Sequence, residues 1–115
     1  MSKRVKSGKV RSYRQGDVLL VAVEELPSLA RAERVKVPGR PLVLARGEAS
    51  GHAHVVANSE EVEAYRLADG TLLVVSERGL RIEHEEHEAL ELPGGAYRVV
   101  RQREYWPDRV REVRD

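Results

Sequence analysis

All four histidines of this chain fall in two short stretches, Gly51-His52-Ala53-His54 and Glu83-His84-Glu85-Glu86-His87. A His-x-His on a strand sets both rings on one face, about 7 Å apart at the backbone, because strand side chains alternate with period two. Two imidazoles placed in that way offer their nitrogens to one divalent ion. The second stretch adds further nitrogens and carboxylates. On a flat strand it pairs His84 with Glu86 and Glu85 with His87, whereas His84 and His87 share a face only across a helical turn, a bulge or a tight bend. The candidate metal ligands are therefore His52, His54, His84 and His87. Glu48 and Glu86 are the candidate catalytic carboxylates, each able to act as a base or a further ligand.

Three histidines with an open position suit a catalytic zinc ion, and mixed histidine and carboxylate sets also suit iron, manganese or nickel. Without a metal, a histidine beside a glutamate can serve as an acid–base pair, for example in phosphodiester cleavage. An isolated histidine is ordinarily a satisfied core or surface residue, and residues 83–88 can be read as a solvated acidic face. The concentration of every histidine in two clusters favours a site over both. Arg101 and Arg103 can grip a phosphate beside it, or can simply be the charges that defend an edge strand.

Other chemistries drop out. With no cysteine there is no disulfide, no thiolate zinc site and no cysteine nucleophile. The chain lacks the Gly-x-Gly-x-x-Gly and Gly-x-x-x-x-Gly-Lys phosphate loops and the Gly-x-Ser-x-Gly elbow.

The elements that must position these residues read as strands. Val18–Val23 is a continuous apolar run with a turn signal before it and Glu24-Glu25 after it, as expected of a strand buried on both faces. Residues 28–39 form either one or two helical turns capped by Ser28 or a loop. Strands follow over 42–45 and from His52 or His54 to Ala57. Residues 61–67 and 71–75 make a hairpin turned by Ala68-Asp69-Gly70. Further strands run over 80–84, 89–92 and 96–105, with a short helix after Pro107. The expectation is an all-β fold, a single small barrel or sandwich of about seven or eight short strands.

The chain has 115 residues, 41% hydrophobic, with no Phe. That suits one domain packed from Val, Leu and Ala. Residues 1–12 read as a flexible basic arm and 13–115 as the β domain. Residues 1–14 carry six Lys or Arg and no acid, while 60–91 carry ten acids against three Arg, a contrast that the net charge of +1 hides. The two regions can meet within or between subunits, and residues 3–14 can hold nucleic acid or an acidic partner. No apolar run approaches the roughly 20 residues of a membrane span. The basic start lacks a signal peptide's apolar segment, so a cytoplasmic location is expected. The ion-rich, amide-poor composition is of a kind common in thermophile proteins.

Gly47 followed by His52-Ala53-His54 and Glu60, then Pro93-Gly94-Gly95, resembles the two-motif pattern of the cupins. The resemblance implies a jelly-roll barrel, a divalent metal, and His52 and His54 as ligands. Glu60 lies farther from His54 than the family's glutamate lies from its second histidine. Arg98 stands where the second motif's histidine belongs.

Two functions follow from these residues. One is a metal-binding β protein with a histidine-centred site, extending to a metal-dependent enzyme on a small polar or phosphorylated substrate. The other is a non-enzymatic homo-oligomer that uses its basic arm to bind.

Overall fold

The computed structural model describes residues 11–35, 40–46 and 52–101. The strand expected over Val18–Val23 forms with those bounds (β2), preceded by Ser12–Gln15 (β1). A two-residue strand, Glu33–Arg34 (β3), precedes Leu42–Arg46 (β4) and Ala53–Val56 (β5). A 3₁₀ turn, Ser59–Glu61, leads to the hairpin of Glu63–Arg66 (β6) and Leu72–Ser76 (β7). Leu80–Glu83 (β8), Leu90–Leu92 (β9) and Gly95–Arg101 (β10) complete the set.

These ten strands form two antiparallel sheets, ordered β1-β2-β10-β7-β6-β3 and β4-β5-β8-β9. The architecture is all-β and sandwich-like, without the single continuous sheet of a closed barrel. The two strands beyond the expected eight are β1 and β3, whose polar sequences carry little apolar alternation. Residues 28–32 form a loop in which Ser28 Oγ accepts from Ala30 N–H at 3.3 Å, a local turn in place of a helix cap. Positions 102–105 of the last expected strand, the expected helix after Pro107 and the arm's residues 1–10 lie outside the described residues. Arg11 and Ser12, the end of the expected arm, already belong to the sheet: Ala22 N–H donates to Arg11 O at 2.8 Å and Ser12 pairs with Val21.

The core lies between the sheets because each strand turns one phase of its alternation inward. β8 is the plainest case, with Leu80 and Ile82 buried and Arg81 and Glu83 exposed. Val18 and Leu20 of β2, Ala64 of β6, Leu72 and Val74 of β7 and Tyr97 of β10 meet Leu42, Val56, Ile82 and Leu92 from the second sheet. Burying one such Leu removes about 1.5–3 kcal/mol of unfavourable hydration. β2 is buried on this face and only half-buried on the other, so the expectation of two buried faces is corrected: the six-stranded sheet is covered by one partner sheet. β10 lies between β2 and β7 as far as Val99, Arg101 pairs with Val18 of β2, and Arg103 lies outside the described residues. No helix among the described residues is long and apolar enough to cross a membrane.

Candidate metal centre

Strand register brings the two histidine stretches together. β5 and β8 pair antiparallel with Val55 opposite Glu83. One step further along each strand leads to His54 on one side and His84 on the other, at the end where β8 stops. Their ring centroids are 4.3 Å apart. His52, just before β5, lies 5.7 Å from His84, edge to face. His87 lies 4.6 Å from His84 and 6.1 Å from His54. The bend that lets His84 and His87 share a face is the irregular stretch after Glu83, one of the three arrangements their odd spacing allowed. A bulge in β4 between Val43 and Ala45 adjusts the neighbouring strand as it passes His54.

Each ring has different surroundings. His54 is 3% exposed, and its Nδ1 lies 2.8 Å from Gln15 Oε1. The Gln15 amide nitrogen donates to Ile82 O at 3.0 Å and to Glu88 O at 2.8 Å. Both acceptors are carbonyls, so the orientation of the amide is determined and its oxygen must face the ring. His54 therefore carries a proton on Nδ1 and turns Nε2 toward Asp17 Oδ1, 3.3 Å away. Burial lowers the His54 pKa, the nearby His84 lowers it further, and Asp17 opposes both without overcoming them. Asp17 is itself raised by burial, but Arg101, whose Nε donates to Oδ2 at 3.0 Å, outweighs this and holds the carboxyl below its usual range. Arg101 also donates to Arg46 O, so its guanidinium is engaged within the fold.

The outer histidines meet carboxylates. His52 Nδ1 lies 3.3 Å from Glu86 Oε2. Glu85 Oε1 accepts from Ala53 N–H at 3.3 Å, and the residue's own backbone N–H, seconded by this bond, holds the Glu85 carboxyl below its ordinary range. Glu86 N–H donates to His84 Nδ1 at 3.0 Å. One donor atom each from His52, His84 and Glu85 lies within 4.8 Å of the other two. Donors on one tetrahedral zinc ion stand about 3.4 Å apart. Closing this set therefore needs the donor atoms to approach one another by at most about 1.5 Å. Ligation at His84 exchanges either the Glu86 N–H at Nδ1 or the ring proton at Nε2 for the metal.

The expected residues thus divide. His52, His54, His84 and His87 form one cluster, and Glu86 joins it through His52. Glu48 lies outside the described residues. Glu60 sits in the 3₁₀ turn at the opposite end of β5 from His52, and Arg98 is exposed in the middle of β10, so neither takes part. The sequence alone did not single out Gln15 or Asp17, and it offered Glu85 only as one of several carboxylates in the second histidine stretch. The signal for Gln15 was its phase: in Ser12–Gln15 it stands two positions from Tyr13, and so points to the same face as an apolar residue.

No curated protein and no solved structure matches this chain. The model of a Domain of unknown function (DUF8820) matches residues 14–102, and the chain belongs to that family.

Proposed function

We propose that the protein binds a divalent metal ion at its histidine end, with His52, His84 and Glu85 as the principal ligands. The observation that supports this is the convergence of two imidazoles and a carboxylate within 4.8 Å, on elements separated by some thirty positions of sequence. Nitrogen and carboxylate donors suit zinc, iron, manganese or nickel, and three protein ligands leave a position for water or substrate. Such an ion acidifies bound water and polarises carbonyl or phosphoryl groups. Glu86 is the nearby carboxylate available as a base.

A groove of about 370 Å³ lined by Ala53, Val55, Glu83, His84 and Glu85 opens beside the ligands. With two carboxylates in its wall, it suits a small neutral or cationic polar substrate better than a phosphorylated one. A jelly-roll likeness of the cupin kind is supported by the two antiparallel sheets and by His52 and His54 at one strand end. It draws nothing from Glu60 or Arg98.

Metal content of untagged protein and its thermal shift with each ion test the proposal. Bound metal and a raised melting temperature are expected, with both effects weakened in His84→Ala and Glu85→Gln. Saturation at a hundredfold over Kd adds about 2.7 kcal/mol. Protein that carries no metal and does not shift with any of the four ions contradicts it.

The second reading, an oligomer that holds nucleic acid or an acidic partner through residues 3–14, is favoured by Arg14, exposed on edge strand β1, and by Arg11, exposed just before that strand. Removal of residues 1–10 is then expected to reduce salt-dependent retention of DNA or RNA.

A further inference from the structure

We propose that Asp17, His54 and His87 form a second divalent-cation site, separate from the ligand set of His52, His84 and Glu85. Gln15 leaves one ring nitrogen of His54 over. Because Oε1 of Gln15 accepts from Nδ1–H, Nε2 is the nitrogen of His54 with which a metal can bond. This is the arrangement usual for a ligating histidine, whose other nitrogen donates to an oxygen that sets the tautomer and the ring orientation. Nε2 faces Asp17 Oδ1 at 3.3 Å, which lies within the roughly 3.0–3.4 Å expected for two donors on one ion at angles between a right angle and the tetrahedral value. The second carboxylate oxygen is held by Arg101, so the ligating oxygen is oriented as the ligating nitrogen is.

The third donor comes from the far side of the same turn. Gly16, between Gln15 and Asp17, has φ +61, and a Cβ on it would stand 2.6 Å from His87 Nε2 and 3.3 Å from His54 Cε1. A glycine here both permits the left-handed backbone and leaves the space in which the two rings approach the turn. The rings of His54 and His87 lie nearly parallel, at 13°. His87 is exposed and its ring rests against His84, so completing the set requires its side chain to turn toward Asp17, because the three donor atoms do not all lie within 4.8 Å of one another. The chemistry is that of two imidazoles and one carboxylate, suited to zinc, iron or manganese. Two ions a few ångströms apart would repel, and the carboxylates of Asp17, Glu85 and Glu86 supply the compensating charge.

The inference rests on the reading of this end as a metal centre, but its ligands are different residues, so the two can fail separately. The test is a cobalt(II) titration of the full, untagged chain, followed by visible absorption and by metal content after desalting. Wild type is expected to bind two equivalents, Asp17→Asn one and Glu85→Gln one. One equivalent in wild type that Asp17→Asn abolishes and Glu85→Gln preserves would support this site and remove the other. One equivalent that Glu85→Gln abolishes and Asp17→Asn preserves would overturn this site and leave the other. Two equivalents unaffected by Asp17→Asn would also overturn it, reducing Asp17 and His54 to an ion pair, and binding of none would overturn both sites. Should Asp17→Asn lose its β-sheet circular dichroism, His87→Gln replaces it, with at least tenfold weaker binding of one equivalent expected and unchanged binding contradicting the site.

Discussion

The β6–β7 hairpin and the histidine end are assembled from the same kind of short strand, and they treat their polar groups in opposite ways. In the hairpin, residues pair one for one from Glu63 with Val75 to Arg66 with Leu72. Ala64, Leu72 and Val74 face inward, and Asp69 Oδ1 accepts from Thr71 N–H at 2.9 Å to close the turn. The ladder uses the backbone donors and acceptors, so the buried side chains have only to be apolar. At the histidine end β8 stops at Glu83, β5 begins at Ala53 and β4 bulges. There a side chain takes over the ladder's task, Gln15 serving the carbonyls of Ile82 and Glu88. What it has left, its oxygen, orients an imidazole. Regular pairing produces stability, and the interruption of pairing produces directed polar groups.

The largest expected effect lies on the regular side. Leu72→Ala empties a buried position shared by both sheets, and urea unfolding should show a loss of about 2–5 kcal/mol. Below its lowered melting temperature the variant should still bind metal. Loss of metal binding in a folded Leu72→Ala protein would break the separation of the two regions.

On the other side, Gln15→Leu keeps the volume of the side chain but leaves two carbonyls and His54 Nδ1 unserved. A loss of about 1–3 kcal/mol is expected, together with weaker binding at the histidine end. A variant as stable as wild type would mean that water serves these groups equally well.

The smallest effect sharpens the comparison within β10, where Tyr97, 3% exposed, donates its hydroxyl to Pro93 O at 2.6 Å. Burial raises the phenol above its ordinary value, and the neighbouring Tyr13 adds to the shift. The folded pKa lies above the unfolded one, near 10. The contribution to stability is therefore complete below about pH 10 and is lost as pH rises through the folded pKa. Tyr97→Phe should cost about 0.5–1.5 kcal/mol at neutral pH and flatten the decline on the alkaline side, both measured by denaturation from pH 8 to 11.

The fold was legible wherever alternation met a clear stop. Val18–Val23 stands between Gly16-Asp17 and Glu24-Glu25, and Asp69-Gly70 announces its hairpin. β1 and β3 were not legible, because Ser-Tyr-Arg-Gln and Glu-Arg are strands through their partners and not through their own composition. At the site, the histidine clusters were visible as residue types, and their odd spacing already required a bend. Gln15 reaches a carbonyl 67 residues away and Asp17 an imidazole 37 residues away. Such contacts depend on sheet order and register, which no local pattern encodes.

The central claim is that the imidazoles of two distant stretches form one centre for divalent metal. Imidazole nitrogen spectra of ¹⁵N-histidine-labelled protein during zinc addition test it most directly. The ring nitrogens of His52 and His84 are expected to shift together as zinc reaches stoichiometry, with Glu85→Gln suppressing the change. Ring signals that stay unmoved with zinc in excess would contradict it.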